Sequence, residues 1–152
     1  MRRALPIIGF AEYVELPRWK VRGLRAKVDT GARSSALHVE NIREVGLNRV
    51  RFDVRLDRRK THRRVTVEAP ISRRARVRPS SGESQLRIFV RTTLRIGSHE
   101  IEVELSLVDR QNMIFRMLLG RSALEHRFLV DVGRRFAVGK RLELRAAKAK
   151  AP

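Results

Sequence analysis

The feature that most constrains this chain is an acidic turn placed directly after an apolar segment. Residues 21–28 place apolar side chains at close to alternate positions, which predicts a half-buried β-strand. The turn that follows consists of Asp29, Thr30 and Gly31. Glycine allows the backbone to fold back without a Cβ clash, and a threonine hydroxyl is small enough to bond the backbone beneath a turn. Because all three residues also favour ordinary surface turns, the motif needs a second feature to carry a function.

That second feature lies about ninety residues further along the chain. An apolar segment ends in glycine and is followed by a predicted helical turn at residues 121–125; its central residues are Leu118, Leu119, Gly120 and Arg121. In this order, the two motifs resemble those of the retropepsin-like aspartic proteases. The closer resemblance is to the bacterial RimB-like family, labelled "ATP-dependent zinc protease". Its early motif matches residues 27–38, its late motif matches residues 109–124, and the resemblance covers about residues 5–132.

The resemblance implies an all-β fold, a retropepsin-like acid-protease β-barrel with one short helix near the C-terminus. Many short predicted strands at close spacing also favour a closed sheet. We expect a strand at Ile114–Leu119 and another at Phe136–Val138, and a turn or short helix at Asn41 to Val45. We expect a single domain over residues 1–138, because the length suits one domain. Residues 139–152 carry five basic residues and one glutamate, and we expect a flexible basic tail there.

The resemblance also implies a site and a mechanism. Peptide hydrolysis by this class needs two neighbouring carboxylates that share one proton, and a single chain supplies one Asp-Thr-Gly motif. A homodimer would bring the second copy to a twofold axis. The implied catalytic residues are Asp29, Thr30 and Gly31. Structural support of the site falls to Leu118, Leu119, Gly120 and Arg121, and substrate binding to Ala32, Arg33, Ser34 and His38 and to a hairpin tip at Ser80, Ser81 and Gly82.

One position departs from the pattern of the viral retropepsins. In those enzymes, acidic residues follow the Asp-Thr-Gly-Ala sequence, and one of them pairs with the arginine after Leu-Leu-Gly. Here Arg33 follows Ala32, so Arg121 must find another partner. Arg33 is expected to add positive charge at the edge of the cleft.

The net charge of +19 indicates an anionic partner. The predicted hairpin between the two motifs is strongly basic, with Arg73, Arg74, Arg76 and Arg78. An acidic peptide substrate, such as a polyglutamate-tailed protein, would suit this charge, and the resembling family includes a member implied to trim such tails. Three alternatives stay open: an arginine-rich proteome, a non-enzymatic basic β-barrel that binds RNA or another polyanion, and an inactive dimerisation module. The few aromatic residues stand mostly at apolar positions, which disfavours a base-stacking platform.

The sequence predicts neither a cofactor nor a metal site. It contains no phosphate-binding Gly-x-x-x-x-Gly-Lys loop and no His-Glu-x-x-His motif, and its four histidines are scattered. The absence of cysteine fits a reducing cytoplasm, so we expect a cytoplasmic protein. No stretch is long enough to span a bilayer, and we expect residues 1–10 not to act as a secretion signal, because their apolar run is short and contains Pro6. We therefore expect no membrane contact.

Overall fold

The computed structural model of the chain describes residues 4–56, 63–78, 82–109 and 114–138. Within these ranges it contains the following elements: β1 (Ile7–Leu16), a 3-10 turn (Pro17–Trp19), β2 (Val21–Val28), β3 (Ser35–Glu44), β4 (Arg49–Arg55), β5 (Arg64–Pro70), β6 (Arg73–Val77), β7 (Gln85–Ile96), β8 (His99–Val108), β9 (Met117–Leu119), α1 (Arg121–Leu124) and β10 (Leu129–Arg135). The prediction of an all-β chain with one short helix near its C-terminus is confirmed.

Six of the strands close into a barrel in the order β1-β2-β9-β3-β8-β7, with β7 returning to β1. At the closing seam Glu15 lies opposite Arg95, and the guanidinium of Arg95 lies 3.2 Å from the Glu15 carboxylate. The other strands extend this barrel: β10 runs parallel to the outside of β1, β6 pairs with β7, and β4 and β5 continue from β3. The predicted retropepsin-like barrel is therefore confirmed as the architecture.

The alternation of apolar and polar residues along the strands corresponds to the inner and outer faces of the barrel. On β7, the side chains of Val90, Leu94 and Ile96 are fully buried in the core, whereas Arg91 between them is exposed. Successive side chains of a strand point to opposite faces, so the alternation in sequence sets which residues fill the interior.

The turn or short helix predicted at Asn41 to Val45 is wrong, because strand β3 runs through most of this segment. The strand continues to Glu44 and pairs with β4, with a bulge between Glu40 and Arg43. Asn41 adopts a left-handed φ of 54°, which asparagine tolerates more readily than most residues. Its side-chain amide donates to the Asp53 carboxylate at 2.8 Å, so the residue bends the strand without ending it.

Two further predicted strands differ from the structure. The strand predicted for Ile114–Leu119 is confined to Met117–Leu119, and Phe136–Val138 forms a bend rather than a strand. The bend lies across β1, where the N–H of Phe136 donates to the carbonyl of Ala11 at 2.8 Å. The ring of Phe136 also stacks on Tyr13 with centroids 4.3 Å apart, so tertiary contacts replace sheet pairing here.

A buried carboxylate holds this C-terminal bend. The side chain of Glu12 is fully buried and accepts backbone N–H bonds from Gly9 at 2.7 Å, Ala137 at 3.0 Å and Val138 at 3.1 Å. A buried anion must be compensated by donors, and these three come from both ends of the described chain. Glu12 thus joins the first strand to the last segment.

The expected tail at residues 139–152 and the predicted site residues Ser80 and Ser81 lie outside the described residues. Across the ranges that are described, no helix is both long enough and apolar enough to cross a membrane.

We predict that Glu12→Gln lowers the free energy of unfolding by about 1–3 kcal/mol, because the new NH2 group cannot accept the bonds that the carboxylate accepts. Urea denaturation of both proteins measures this difference. Glu102→Gln is the matched control, since Glu102 is exposed and its ion pair with Arg18 should contribute less than about 1 kcal/mol. Equal midpoint shifts in the two variants would contradict the role given to Glu12.

Candidate active site

The position of Asp29 is set by the parallel pairing of β2 with β9. Lys27 lies opposite Leu118, and Val28 opposite Leu119. The backbone N–H of Asp29 then donates to the carbonyl of Leu119 at 2.9 Å. The two sequence motifs therefore meet through main-chain hydrogen bonds.

The turn around Asp29 is closed by its own backbone. The N–H of Gly31 donates to Oδ1 of Asp29 at 3.0 Å, and the N–H of Ala32 donates to the Asp29 carbonyl at 3.2 Å. Asp29 is partly buried, while Thr30 and Gly31 are exposed. The carboxylate is thus oriented by its loop and still reachable from outside the single chain.

The second half of the loop packs against the start of α1. The carbonyl of Ala32 accepts a bond from the N–H of Arg121 at 2.8 Å, and the carbonyl of Arg33 accepts one from Ser122 at 3.0 Å. At Gly120, a Cβ atom would lie 2.4 Å from the carbonyl oxygen of Ser34. Only glycine allows the two backbones to approach this closely.

Ser35 was not among the residues predicted for the site, but it supports the same contact. Its hydroxyl is buried and accepts a bond from the N–H of Gly120 at 3.0 Å. Its carbonyl accepts a bond from the hydroxyl of Ser106 on β8 at 3.3 Å. One feature of the sequence could have indicated this role. Ser35 is a small hydroxyl residue that lies directly before the apolar residues of β3.

Arg121 has the alternative partner that the sequence required. Its Nη1 donates to the carbonyl oxygen of Thr30 at 3.0 Å. The arginine after Leu-Leu-Gly therefore binds the loop through a backbone acceptor instead of a carboxylate. Arg33, which stands where the viral enzymes are acidic, is exposed.

His38 lies further along β3, and the structure buries it to 2% exposure. Its backbone N–H donates to the carbonyl of Arg116 at 2.8 Å. Burial holds the pKa of His38 below its usual value, and the nearby positive charge of Arg116 lowers it further, so the neutral imidazole is favoured. Its predicted contact with substrate stays a prediction. Among the described residues, no three side chains of the metal-binding types form a group that could hold an ion.

The structure thus brings together the predicted residues of the loop and of its support, from Asp29 to Ser34 and from Leu118 to Arg121. The backbone N–H and carbonyl of Ala32 are both bonded within the loop and helix, so a substrate contact there would have to use other atoms or a rearranged turn. Gly82 is exposed and has a φ of 111°, near the hairpin tip. The functional roles of all these residues stay predictions.

A closed six-stranded barrel with an Asp-Thr-Gly loop fastened to a Leu-Leu-Gly strand defines a retropepsin-like protein. The chain belongs to the RimB-like family. The model of that family, described as "Retropepsin-like aspartic endopeptidase RimB", matches residues 7–141. The resemblance inferred from the two motifs is confirmed.

Curated relatives and a solved structure are also similar to this chain. Proteins named "Probable alpha-L-glutamate ligase" from Shewanella pealeana and Desulfotalea psychrophila are 34% and 35% identical over 91% and 90% of the chain. The chain spans about a third of their length, with 31% and 30% covered. A Legionella pneumophila protein of unknown function has a TM-score of 0.72 and 25% identity, over 88% of this chain and 98% of that one.

We predict that Gly120→Ala lowers stability by about 1–3 kcal/mol, because its Cβ would overlap the Ser34 carbonyl and displace the loop. Urea denaturation measures the loss. Gly133→Ala is the matched control, since a Cβ there would meet its nearest neighbour, Oδ1 of Asp131, at an ordinary 3.4 Å. A Gly120→Ala protein as stable as the Gly133→Ala protein would contradict the close approach.

Proposed function

We propose that this chain is an aspartic endopeptidase that acts as a homodimer on acidic peptides. The observation that carries the proposal is the loop geometry: Asp29 is bonded to Leu119 through its own N–H, and Gly31 orients its carboxylate. Arg121 secures the same loop through Thr30. These contacts preorganise one carboxylate at the end of a strand, which is what acid–base catalysis on a peptide requires.

The second carboxylate is supplied by Asp29 of another chain, because each chain carries one Asp-Thr-Gly motif. Two like charges a few ångström apart do not both ionise, so the pair shares one proton. The ionised member takes a proton from water as it attacks the peptide carbonyl. The protonated member donates to the developing oxyanion. Thr30 of each chain is assigned to the contact between the two loops.

The names of the curated relatives support an acidic substrate. They are called glutamate ligases, but the region matched here is about a third of each protein. A ligase that joins α-linked glutamates makes the kind of peptide that this peptidase would hydrolyse. The net charge of +19 and the exposed Arg33 suit that substrate, since fixed cations bind carboxylates.

The competing proposal of an RNA-binding barrel is less well supported. Two of the rings that could stack on bases, those of Tyr13 and Trp19, are engaged in contacts with other rings. Tyr13 stacks on Phe136, and Trp19 packs edge-on against Phe52 with centroids 5.4 Å apart. Base stacking by these residues would require those contacts to open.

We predict that Asp29→Asn abolishes hydrolysis of a glutamate-rich peptide while leaving the unfolding midpoint nearly unchanged, because the amide is close to isosteric but cannot act as the base. Wild-type activity is expected to persist in EDTA without ATP. Cleavage is followed by mass spectrometry of the products.

Asp131→Asn is the matched control for this experiment. Asp131 accepts a bond from its own Gly133 N–H at 2.9 Å in β10, so it should tolerate the change with activity retained. Loss of activity in Asp131→Asn, with activity retained in Asp29→Asn, would assign the chemistry to another acid. Loss of wild-type activity in EDTA would contradict the aspartic mechanism.

We also predict a dominant effect of inactive subunits. When wild-type chains are mixed with an excess of Asp29→Asn chains, activity per wild-type chain should fall roughly in proportion to the fraction of wild-type partners. Subunit exchange is verified with mass-labelled chains. Constant activity per wild-type chain despite proven exchange would show that the two carboxylates do not come from different chains.

A further inference from the structure

The β6–β7 hairpin presents one face that continues the interior face of the barrel. Arg74 lies opposite Ile88, and Arg76 lies opposite Leu86. Side chains directly opposite one another in an antiparallel pair lie on the same face of the sheet. Ile88 packs against the barrel core, so Arg74 and Arg76 project on the core side of the hairpin. Arg78 follows directly after Val77, the last residue of β6.

The arginines nearest the barrel are already neutralised. Arg73 forms an ion pair with Glu104 at 2.9 Å and lies over the ring of Phe89, 3.9 Å from its centroid. Arg74 forms an ion pair with Glu44, the last residue of β3. These two side chains therefore hold the base of the hairpin in place and have little charge to offer a ligand.

The next two arginines of the hairpin, Arg76 and Arg78, differ from Arg73 and Arg74 in their ion pairing. Arg76 and Arg78 are exposed, and no carboxylate of the described residues forms an ion pair with either. Leu86, opposite Arg76, is 64% exposed on the same face. The outer half of the hairpin thus carries two guanidinium groups that no described carboxylate compensates, beside an apolar side chain.

We propose that Arg76 and Arg78 are the specificity determinants of the proposed peptidase and bind the side-chain carboxylates of its substrate. The assignment rests on the proposed function, and it separates these two arginines from Arg73 and Arg74, which the sequence alone could not distinguish. A guanidinium matches a carboxylate with two parallel N–H bonds, whereas a neutral amide of the same shape offers no charge. The enzyme should therefore prefer glutamate over glutamine at the positions that meet the hairpin.

The test is a binding measurement that does not require turnover. Full-length Asp29→Asn protein is titrated into a fluorescent α-linked hexaglutamate and into the matching hexaglutamine, and anisotropy is recorded at two salt concentrations. Adding Arg76→Gln and Arg78→Gln together should weaken hexaglutamate binding about tenfold, the effect of two partly exposed ion pairs. Hexaglutamine binding should change less than about twofold, because its neutral side chains form no ion pair with either arginine.

The matched control is Lys20→Gln with Arg22→Gln, which removes the same charge at two exposed positions near the start of β2. It should leave hexaglutamate binding nearly unchanged. If both double variants weaken hexaglutamate binding equally, the effect comes from net charge alone and the proposal is overturned. An unchanged preference for glutamate in the Arg76/Arg78 variant would overturn it as well.

Two further outcomes separate this proposal from others. A single-stranded RNA that loses affinity in parallel with hexaglutamate would make the hairpin a general polyanion site and overturn its role in peptide specificity. Selective hexaglutamate binding that depends on Arg76 and Arg78, together with a wild-type protein that cleaves no peptide, would support the two arginines as carboxylate-binding residues and refute the peptidase. The failure of one proposal is thus distinguishable from the failure of the other.

Discussion

The whole site depends on the parallel pairing between β2 and β9. It brings two segments about ninety residues apart into register, so that Leu119 binds the N–H of Asp29. A three-residue strand supplies few hydrogen bonds of its own, and its position depends on neighbours on both sides. On the other side β3 pairs with β9, where Ala36 lies opposite Leu118. The acidic loop connects the two strands that flank β9, and Gly120 allows the loop backbone to lie against the end of this strand.

The charge of the protein is unevenly compensated. Glu68 accepts bonds from Arg49 and Arg51, and the hydrogen bonds of these arginines hold its pKa below the usual value. The barrel exterior and the β4–β5 arm thus contain mixed, paired charges, which stabilise the surface little. Positive charge without a described ion pair lies at Arg33 and on the outer part of the β6–β7 hairpin, and also at other exposed positions such as Lys20 and Arg22.

Sequence patterns predicted most strands because alternation directly reports a half-buried sheet. The predictions were wrong where the same local sequence is compatible with two different structures. Asn41 signals a turn in isolation, yet within β3 it lies in a bulge, because β4 pairs with the residues on both sides of it. The apolar bend at Phe136 was predicted as a strand, whereas its N–H groups bind Ala11 and its neighbours bind the buried carboxylate of Glu12.

The sequence by itself determined the barrel class, the family and the identity of the acidic loop, since two specific motifs in order are readable without coordinates. Tertiary structure alone decided what holds that loop: the Ser35 hydroxyl on Gly120 and the backbone carbonyl of Thr30 that replaces an acidic partner for Arg121. It also decided which hairpin arginines are neutralised. Hydrogen bonds and ion pairs between distant segments depend on register and distance, and neither quantity is encoded in the local pattern of residues.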